Sequence, residues 1–201
     1  CTYCCNSAFG KIYGENKVRR RSIQNVVDQL EITEKTDPEI RCFNFLDDCF
    51  LACSEKYLED FFKAYKERVK APFIVRCIPA YLTDVKMNIM KEAGLAWLNL
   101  GLQSGSDRTN KEIYKRKSLN MHFLSAANIV KKYNIAAFYD VILDNPFESD
   151  EDRMDTVMTL MNTPKPYYPS FFSLTFYKGT ELYDRAIREL PGYEDEFLRK
   201  D

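Results

Sequence analysis

The chain has 201 residues, with 29 Lys or Arg and 30 Asp or Glu, so its formal net charge is -1. This balance excludes the basic excess of a dedicated nucleic-acid binder, and the 45% hydrophobic content excludes a disordered chain. We expect a single domain with no membrane span and no signal peptide. Seven cysteines without a secretion signal indicate a reducing compartment, so the expected location is the cytoplasm, with neither membrane nor nucleic acid as a partner.

Short β-rich runs alternate with helical patterns in the first half of the chain. Ser22 precedes apolar residues at helical spacing and predicts a helix start, and residues 41–46 predict a strand. Ser54 opens a second predicted helix, residues 73–78 predict the next strand, and Thr83 opens a third helix. The same unit therefore repeats along the chain.

The second half continues this alternation. Strands are predicted at residues 95–102, 135–143 and 171–177, and helices at residues 107–133 in two pieces, from Ser149 onward, and at residues 180–190. Pro164, Pro166 and Pro169 predict a stiff loop before the last strand. The helix after Ser149 carries apolar residues at helical spacing, which predicts that they face the core: Met154, Val157, Met158 and Met161.

Five strands, each followed by a helix, indicate an α/β fold with a parallel sheet. An open doubly wound sheet and part of a (β/α) barrel both fit this order. In both, chemistry collects at the carboxyl ends of the strands. The polar residues at those ends are Asp47-Asp48, Arg76-Cys77, Gln103-Ser104, Asp140 with residues 144–145, and Tyr177-Lys178.

The chain begins with Cys1-Thr2-Tyr3-Cys4 and no initiator Met, so we expect it to be part of a longer protein. Two thiolates at this spacing can bind one metal ion or one edge of an iron–sulfur cluster. A zinc knuckle and an unliganded pair fit equally well. Cys42 and Cys77 lie in predicted strands and are expected to be small core residues.

The opening residues, from Cys1 to Asn6, resemble the end of the C-x3-C-x2-C motif of the radical S-adenosylmethionine (SAM) superfamily. Cys1 and Cys4 match its second and third cysteines, and the first would lie four residues upstream. The resemblance continues, in the family's order, through residues 45–50, residues 100–106 with Arg116 after them, residues 140–148, and residues 176–183, where Lys178 replaces a proline. The chain is similar in particular to the cobalamin-binding subgroup. Methylthiotransferases and oxygen-independent coproporphyrinogen enzymes share parts of the same motif pattern.

This resemblance implies a partial TIM-like (β/α) barrel of about five to six parallel strands with outer helices. Residues 1–201 would form a single core domain, without its first strand and without the upstream cobalamin-binding domain. The implied cofactors are a [4Fe–4S] cluster and SAM, cleaved reductively to a 5′-deoxyadenosyl radical, with cobalamin held by the absent domain. The implied partner is a reductant such as flavodoxin or ferredoxin. The implied activity is cobalamin-dependent methyl transfer or a related reaction.

The resemblance also implies roles for individual residues. Cys1 and Cys4 would bind the cluster, and Tyr3 would pack against the SAM adenine. Asp47 or Asp48 would accept from the SAM ammonium, and Arg116 would pair with its carboxylate. The ribose hydroxyls or the methionine end would be held by Gln103, Ser104 and Asp140, while Asp144 and Asn145 brace a turn. Without the first cysteine, we expect the chain as written to be inactive.

Two other functions remain open at this point. In one, the chain is a non-catalytic α/β domain whose N-terminal cysteines hold a structural zinc ion. In the other, it is part of an ordinary α/β barrel whose cysteines have no ligand. The sequence does not specify a substrate in any of these cases.

Overall fold

In the computed structural model, which describes residues 1–14, 19–190 and 192, five parallel strands form one sheet. They are β1 (Phe43–Phe45), β2 (Phe73–Cys77), β3 (Leu95–Gln103), β4 (Ala136–Leu143) and β5 (Tyr168–Ser173). The strands lie side by side in chain order, and all four pairings are parallel. A doubly wound sheet reverses its strand order at a switch point, so this order identifies an open arc of a (β/α) barrel.

The helices are α1 (Asn6–Tyr13), α2 (Ile23–Thr36), α3 (Glu55–Arg68), α4 (Asp84–Glu92), α5 (Asn120–Tyr133), α6 (Asp150–Asn162) and α7 (Glu181–Glu189). A 3-10 turn spans Pro79–Tyr81, and a π-helical turn spans Thr109–Ile113. The predicted N-caps are confirmed, because the hydroxyls of Ser22, Ser54, Thr83 and Ser149 each accept a backbone N–H inside the first helical turn. No helix in this part of the chain has the length and apolar character to span a bilayer.

The sheet has two different faces. Along β3, Leu98 and Leu100 are buried against the helices, whereas the Asn99 side chain between them points to the other side. The outer, helix-covered face holds the main core, which also includes the fully buried Phe73. We call the opposite side of the sheet the inner face, and it lines the space enclosed by the arc.

Several predicted boundaries differ from the observed ones. The last strand lies at Tyr168–Ser173 instead of residues 171–177, and Pro169 belongs to it, which an edge strand tolerates because its outer N–H groups need no partner. As predicted, the helix at residues 107–133 is divided into two pieces, the π-helical turn and α5, with non-helical residues 114–119 between them. Helix α1 was not predicted.

The prediction that the apolar residues of α6 face the core is wrong. Their side chains are exposed: Met154 by 59%, Val157 by 48%, Met158 by 46% and Met161 by 63%. The buried side of α6 is polar, with Asp152, Thr156 and Thr159 inside. The spacing identified the helix correctly, but α6 packs on the loop that follows β3 through hydrogen bonds.

Candidate functional site

The N-terminal segment is fixed at the rim where the strands end. Thr2 donates its backbone N–H to the Tyr114 carbonyl at 3.0 Å and its hydroxyl to the Ile113 carbonyl at 2.6 Å. Its own carbonyl accepts the Leu182 N–H at 2.9 Å. The residue between Cys1 and Tyr3 is therefore held by the π-helical turn on one side and by α7 on the other, which places both cysteines.

Tyr3 lies in the middle of the predicted site residues. Its ring packs edge-on against the Tyr114 ring, with centroids 4.8 Å apart. Burial raises the pKa of Tyr3, while the charge of Arg116 lowers it and those of Cys4 and Asp140 raise it. Because such effects act at short range, one neighbourhood joins residues from three separate segments of the sequence.

Arg116 is a buried guanidinium that donates to carbonyl oxygens. Its Nη1 donates to the Leu102 carbonyl at 2.8 Å, and its Nη2 donates to the Gly101 carbonyl at 3.0 Å. Burial lowers the pKa of Arg116, and no carboxylate among the described residues forms an ion pair with it. A buried positive charge without a counter-ion favours a bound anion.

Gln103 ends β3 in a strained conformation. Its φ of 67° is in the left-handed region, and the β3–β4 register shifts between Gly101 and Gln103. A Cβ placed on Gly101 would lie only 2.5 Å from Gln103 Nε2, so the glutamine side chain lies across the Gly101 backbone. Strained non-glycine residues at strand ends are typical of binding sites.

The loop after β1 carries Asp47 and Asp48. The Asn6 amide donates to the Asp48 carboxylate, which brings the loop next to α1 and Cys4. From below, the buried Lys86 ammonium donates to the carbonyls of Leu51 at 2.8 Å and Cys53 at 3.0 Å. Lys86 was not among the predicted site residues, since a lysine on an amphipathic helix predicts a solvated charge.

Asp140 projects from the inner face of β4. Its Oδ1 is buried and has no hydrogen-bond partner among the described residues. Burial raises the pKa of Asp140, whereas a hydrogen bond with the Asn99 side chain and the charge of Arg76 lower it. An unpartnered carboxylate oxygen at this position fits a ligand hydroxyl or ammonium group.

Ser104 is placed differently from the other predicted residues. It is fully buried, and its hydroxyl donates to Glu148 Oε1 at 2.7 Å and lies 3.3 Å from Thr156 Oγ1. This geometry favours support of the loop after β3 over contact with a ligand. The partner of Ser104 across the rim is Glu148, which was not among the predicted site residues.

Asn145 and Asp144 form part of the turn after β4. Asn145 is buried, donates to the Tyr114 hydroxyl at 3.2 Å and accepts the Phe147 N–H at 3.0 Å. Asp144 has a φ of 58° and accepts from the Ser173 hydroxyl. Both side chains thus connect the turn to neighbouring elements.

The cysteines at the N-terminus form a partial ligand set. Cys1 is exposed, and burial raises the pKa of Cys4. Across the described residues, no group of three or more His, Cys, Asp or Glu side chains is arranged to hold a metal ion. A closed structural zinc site needs four ligands, so the described residues do not supply one. Two thiolates at C-x2-C spacing still fit one edge of an iron–sulfur cluster.

The chain was compared with protein families, curated proteins and solved structures. A family model, the Radical SAM superfamily, matches residues 1–160. A search of curated proteins gave no significant match. The chain is similar in fold to the radical SAM methyltransferase TsrM from Kitasatospora setae, solved with tryptophan and a SAM analogue, with a TM-score of 0.73 at 14% identity over 94% of this chain and 36% of that one.

Two other solved structures share the fold. Coproporphyrinogen III oxidase HemN from Escherichia coli gives a TM-score of 0.65 at 15% identity, covering 91% of this chain and 46% of that one. The cobalamin-dependent SAM radical enzyme OxsB gives 0.64 at 17% identity, covering 90% of this chain and 27% of that one. The chain thus spans less than half of each of these three proteins. Because the family model covers residues 1–160, the chain belongs to the radical SAM superfamily.

Proposed function

We propose that this chain is the core of an enzyme that binds a [4Fe–4S] cluster and SAM and generates a 5′-deoxyadenosyl radical. The observation that carries the proposal is the uncompensated Arg116 guanidinium, buried beside Tyr3 at the rim that also carries Cys4. The amino and carboxylate groups of SAM need one anionic and one cationic partner, and this rim offers both. When bound, the cluster and SAM supply the radical chemistry itself.

The protein's own residues would bind and orient the cluster and SAM. Cys1 and Cys4 would give two of the three cluster thiolates, and Arg116 would bind the SAM carboxylate. Asp48 already accepts from Asn6, which favours Asp47 as acceptor for the SAM ammonium. The unpartnered Asp140 Oδ1 would accept from a ribose hydroxyl. Tyr3 would pack against the adenine, with Gln103 beside it.

The finer form of the proposal is cobalamin-dependent methyl transfer or a related reaction, supported by the fold shared with TsrM and OxsB. Cobalamin would bind to a domain outside residues 1–201, and a further strand would pair with the free edge of β1 to complete one core domain. A flavodoxin or ferredoxin would supply the electron. Seven free cysteines fit a cytoplasmic location.

The test restores the missing ligand on the chain itself. A Cys-Ala-Ala-Ala segment placed before Cys1 gives the C-x3-C-x2-C spacing, and a Ser-Ala-Ala-Ala segment is the matched control. Both proteins are reconstituted anaerobically with iron and sulfide and then reduced. We expect a [4Fe–4S] electron paramagnetic resonance signal that SAM shifts in the Cys version, and little cluster in the Ser version or in the chain as written.

Two results would contradict the proposal. The first is equal cluster content in the Cys and Ser versions, since the thiolates would then not bind the cluster. The second is a cluster whose signal does not respond to SAM. If zinc rather than iron is retained, and its loss accompanies Cys1→Ser and Cys4→Ser, a structural zinc site becomes the better account.

A further inference from the structure

Arg76 is a charged residue on the inner face of a strand. Its neighbours Val75 and Cys77 belong to the outer core, so the Arg76 side chain points into the arc. It is exposed there, and its guanidinium makes no hydrogen bond or ion pair with any residue in the described part of the chain. Because it is exposed on this face and has no such partner, the guanidinium is accessible to an anionic group of a bound molecule.

The strand register places Arg76 directly below the proposed SAM site. It lies beside Asn99 on β3, while Asp140 lies one step nearer the rim, opposite Gly101. The charge of Arg76 acts on Asp140, yet the two form no ion pair. Both groups therefore remain available to molecules inside the arc.

An aromatic row lies across the same inner face. Trp97 and Phe138 have ring centroids 6.0 Å apart, and Phe138 stacks on Tyr168 at 5.3 Å. Phe138 shares the register row of Arg76 and Asn99, and Trp97 lies one step further from the rim. Flat aromatic faces next to a free guanidinium suit a molecule with an apolar, planar body and an anionic group.

We propose that the substrate of this enzyme carries a carboxylate bound by Arg76 and a flat apolar body packed on the row formed by Trp97, Phe138 and Tyr168. The reaction at the substrate rests on the proposed function, but this recognition depends only on residues of the inner face. A carboxylate is favoured over a phosphate because the site offers one guanidinium beside the Asp140 carboxylate. A dianionic phosphate normally draws several donors.

Trp97 is the chain's single tryptophan, so its fluorescence reports directly on the inner face. The probes are 4-nitrobenzoate, its neutral isostere 4-nitrobenzamide, and 4-nitrophenyl phosphate, each of which quenches tryptophan on binding. We expect 4-nitrobenzoate to bind about tenfold more tightly than the amide, which corresponds to ~1.4 kcal/mol, and more tightly than the phosphate.

The variants assign this preference to one residue. Arg76→Gln should bind both benzoyl probes equally, and Arg76→Lys should keep part of the preference because it keeps the charge. Arg153→Gln is the matched control, since Arg153 lies on the surface of α6, 56% exposed and paired with Asp150. It should behave like the unchanged chain, and far-ultraviolet circular dichroism checks folding.

Equal quenching by the benzoate and the amide in the unchanged chain would overturn the proposal, as would a preference that survives Arg76→Gln. Tighter binding of the phosphate would overturn the choice of a carboxylate. The cluster and SAM experiment does not depend on Arg76. If no SAM-responsive cluster forms but the carboxylate preference is observed, only the proposed function is overturned. If the cluster responds to SAM but the carboxylate preference is absent, only the proposed substrate class is overturned.

Discussion

At the residue scale, Arg116, the proposed partner of the SAM carboxylate, is held in place by contacts with the protein itself. Two of its donors bind carbonyls at the carboxyl end of β3, and burial there costs the guanidinium its hydration but not its charge. The orientation is therefore set by backbone contacts, and a ligand carboxylate would add the missing counter-charge.

Arg116→Met should weaken SAM binding to the cluster-loaded chain by about tenfold or more, because a charge-assisted hydrogen bond contributes roughly 1.5–3 kcal/mol. SAM titration followed by electron paramagnetic resonance measures this. Lys115→Met is the control, since it removes an adjacent charge that pairs with Glu181 on the surface. Unchanged SAM affinity in Arg116→Met would show that the guanidinium is purely structural.

Much of the rim could be predicted because strand ends and motif spacing identify residues that project upward. Tyr3, Arg116 and Asp140 do meet, as one neighbourhood around the Tyr3 hydroxyl. Ser104 follows the same strand as Gln103, yet the left-handed turn at Gln103 directs it inward to Glu148. Sequence spacing carries no information on that turn. It therefore could not predict that Ser104 contacts Glu148.

At the element scale, α6 is attached by hydrogen bonds and one ion pair. Asp152 accepts from the Ser106 hydroxyl at 2.6 Å and from the Arg108 Nε at 3.1 Å, and the Thr156 hydroxyl accepts the Gly105 N–H at 2.8 Å. Helical periodicity predicted the element and its cap but assigned the wrong face to the interior. Apolar spacing indicates a face, whereas the choice of neighbour depends on tertiary contacts.

Asp152→Asn should lower the free energy of unfolding by about 2 kcal/mol at neutral pH, because it leaves Arg108 without its partner. The Arg108 guanidinium first, and the Ser106 hydroxyl after it, hold the pKa of Asp152 well below its usual range, although burial opposes this. A depressed pKa stabilises the fold above the unfolded-state value of about 3.9, and this stabilisation is lost as the pH falls toward the folded value.

The difference between Asp152→Asn and the unchanged chain should therefore be constant from pH 7 to about pH 5 and shrink below about pH 4, as measured by urea unfolding. Asp155→Asn, on the exposed side of the same helix, is the control and should change stability by less than about 0.5 kcal/mol. A pH-independent difference would show that charge is not what Asp152 contributes.

Gly105 sets the distance between α6 and the loop after β3. A Cβ at this position would lie 2.5 Å from Thr156 Cα and 2.6 Å from the Asp155 carbonyl oxygen, both backbone atoms. Gly105→Ala should therefore cost about 1–3 kcal/mol of stability. Gly101→Ala is the comparison, since its Cβ meets the mobile end of Gln103 at 2.5 Å. Equal losses in urea unfolding would contradict this argument.

At the scale of the whole molecule, the order of the strands decided between two architectures that the sequence left open. Five βα units predict parallel pairing, but both architectures contain such units. The order β1-β2-β3-β4-β5 then leaves the inner face of the arc uncovered, with Arg76 and the aromatic row on it. Pairing order depends on contacts between distant residues, which periodicity does not record.

The distribution of the six methionines has a consequence for chemical labelling. Met87 and Met90 are fully buried, whereas Met121 and the three methionines of α6 are 46–70% exposed. Because the inward side of α6 is polar, oxygen atoms added to its thioethers would not disturb packing. Mild peroxide should thus oxidise four methionines rapidly and reach the other two only as the chain unfolds. Global unfolding could then be followed by peptide mass spectrometry, as the increase in mass when Met87 and Met90 are oxidised.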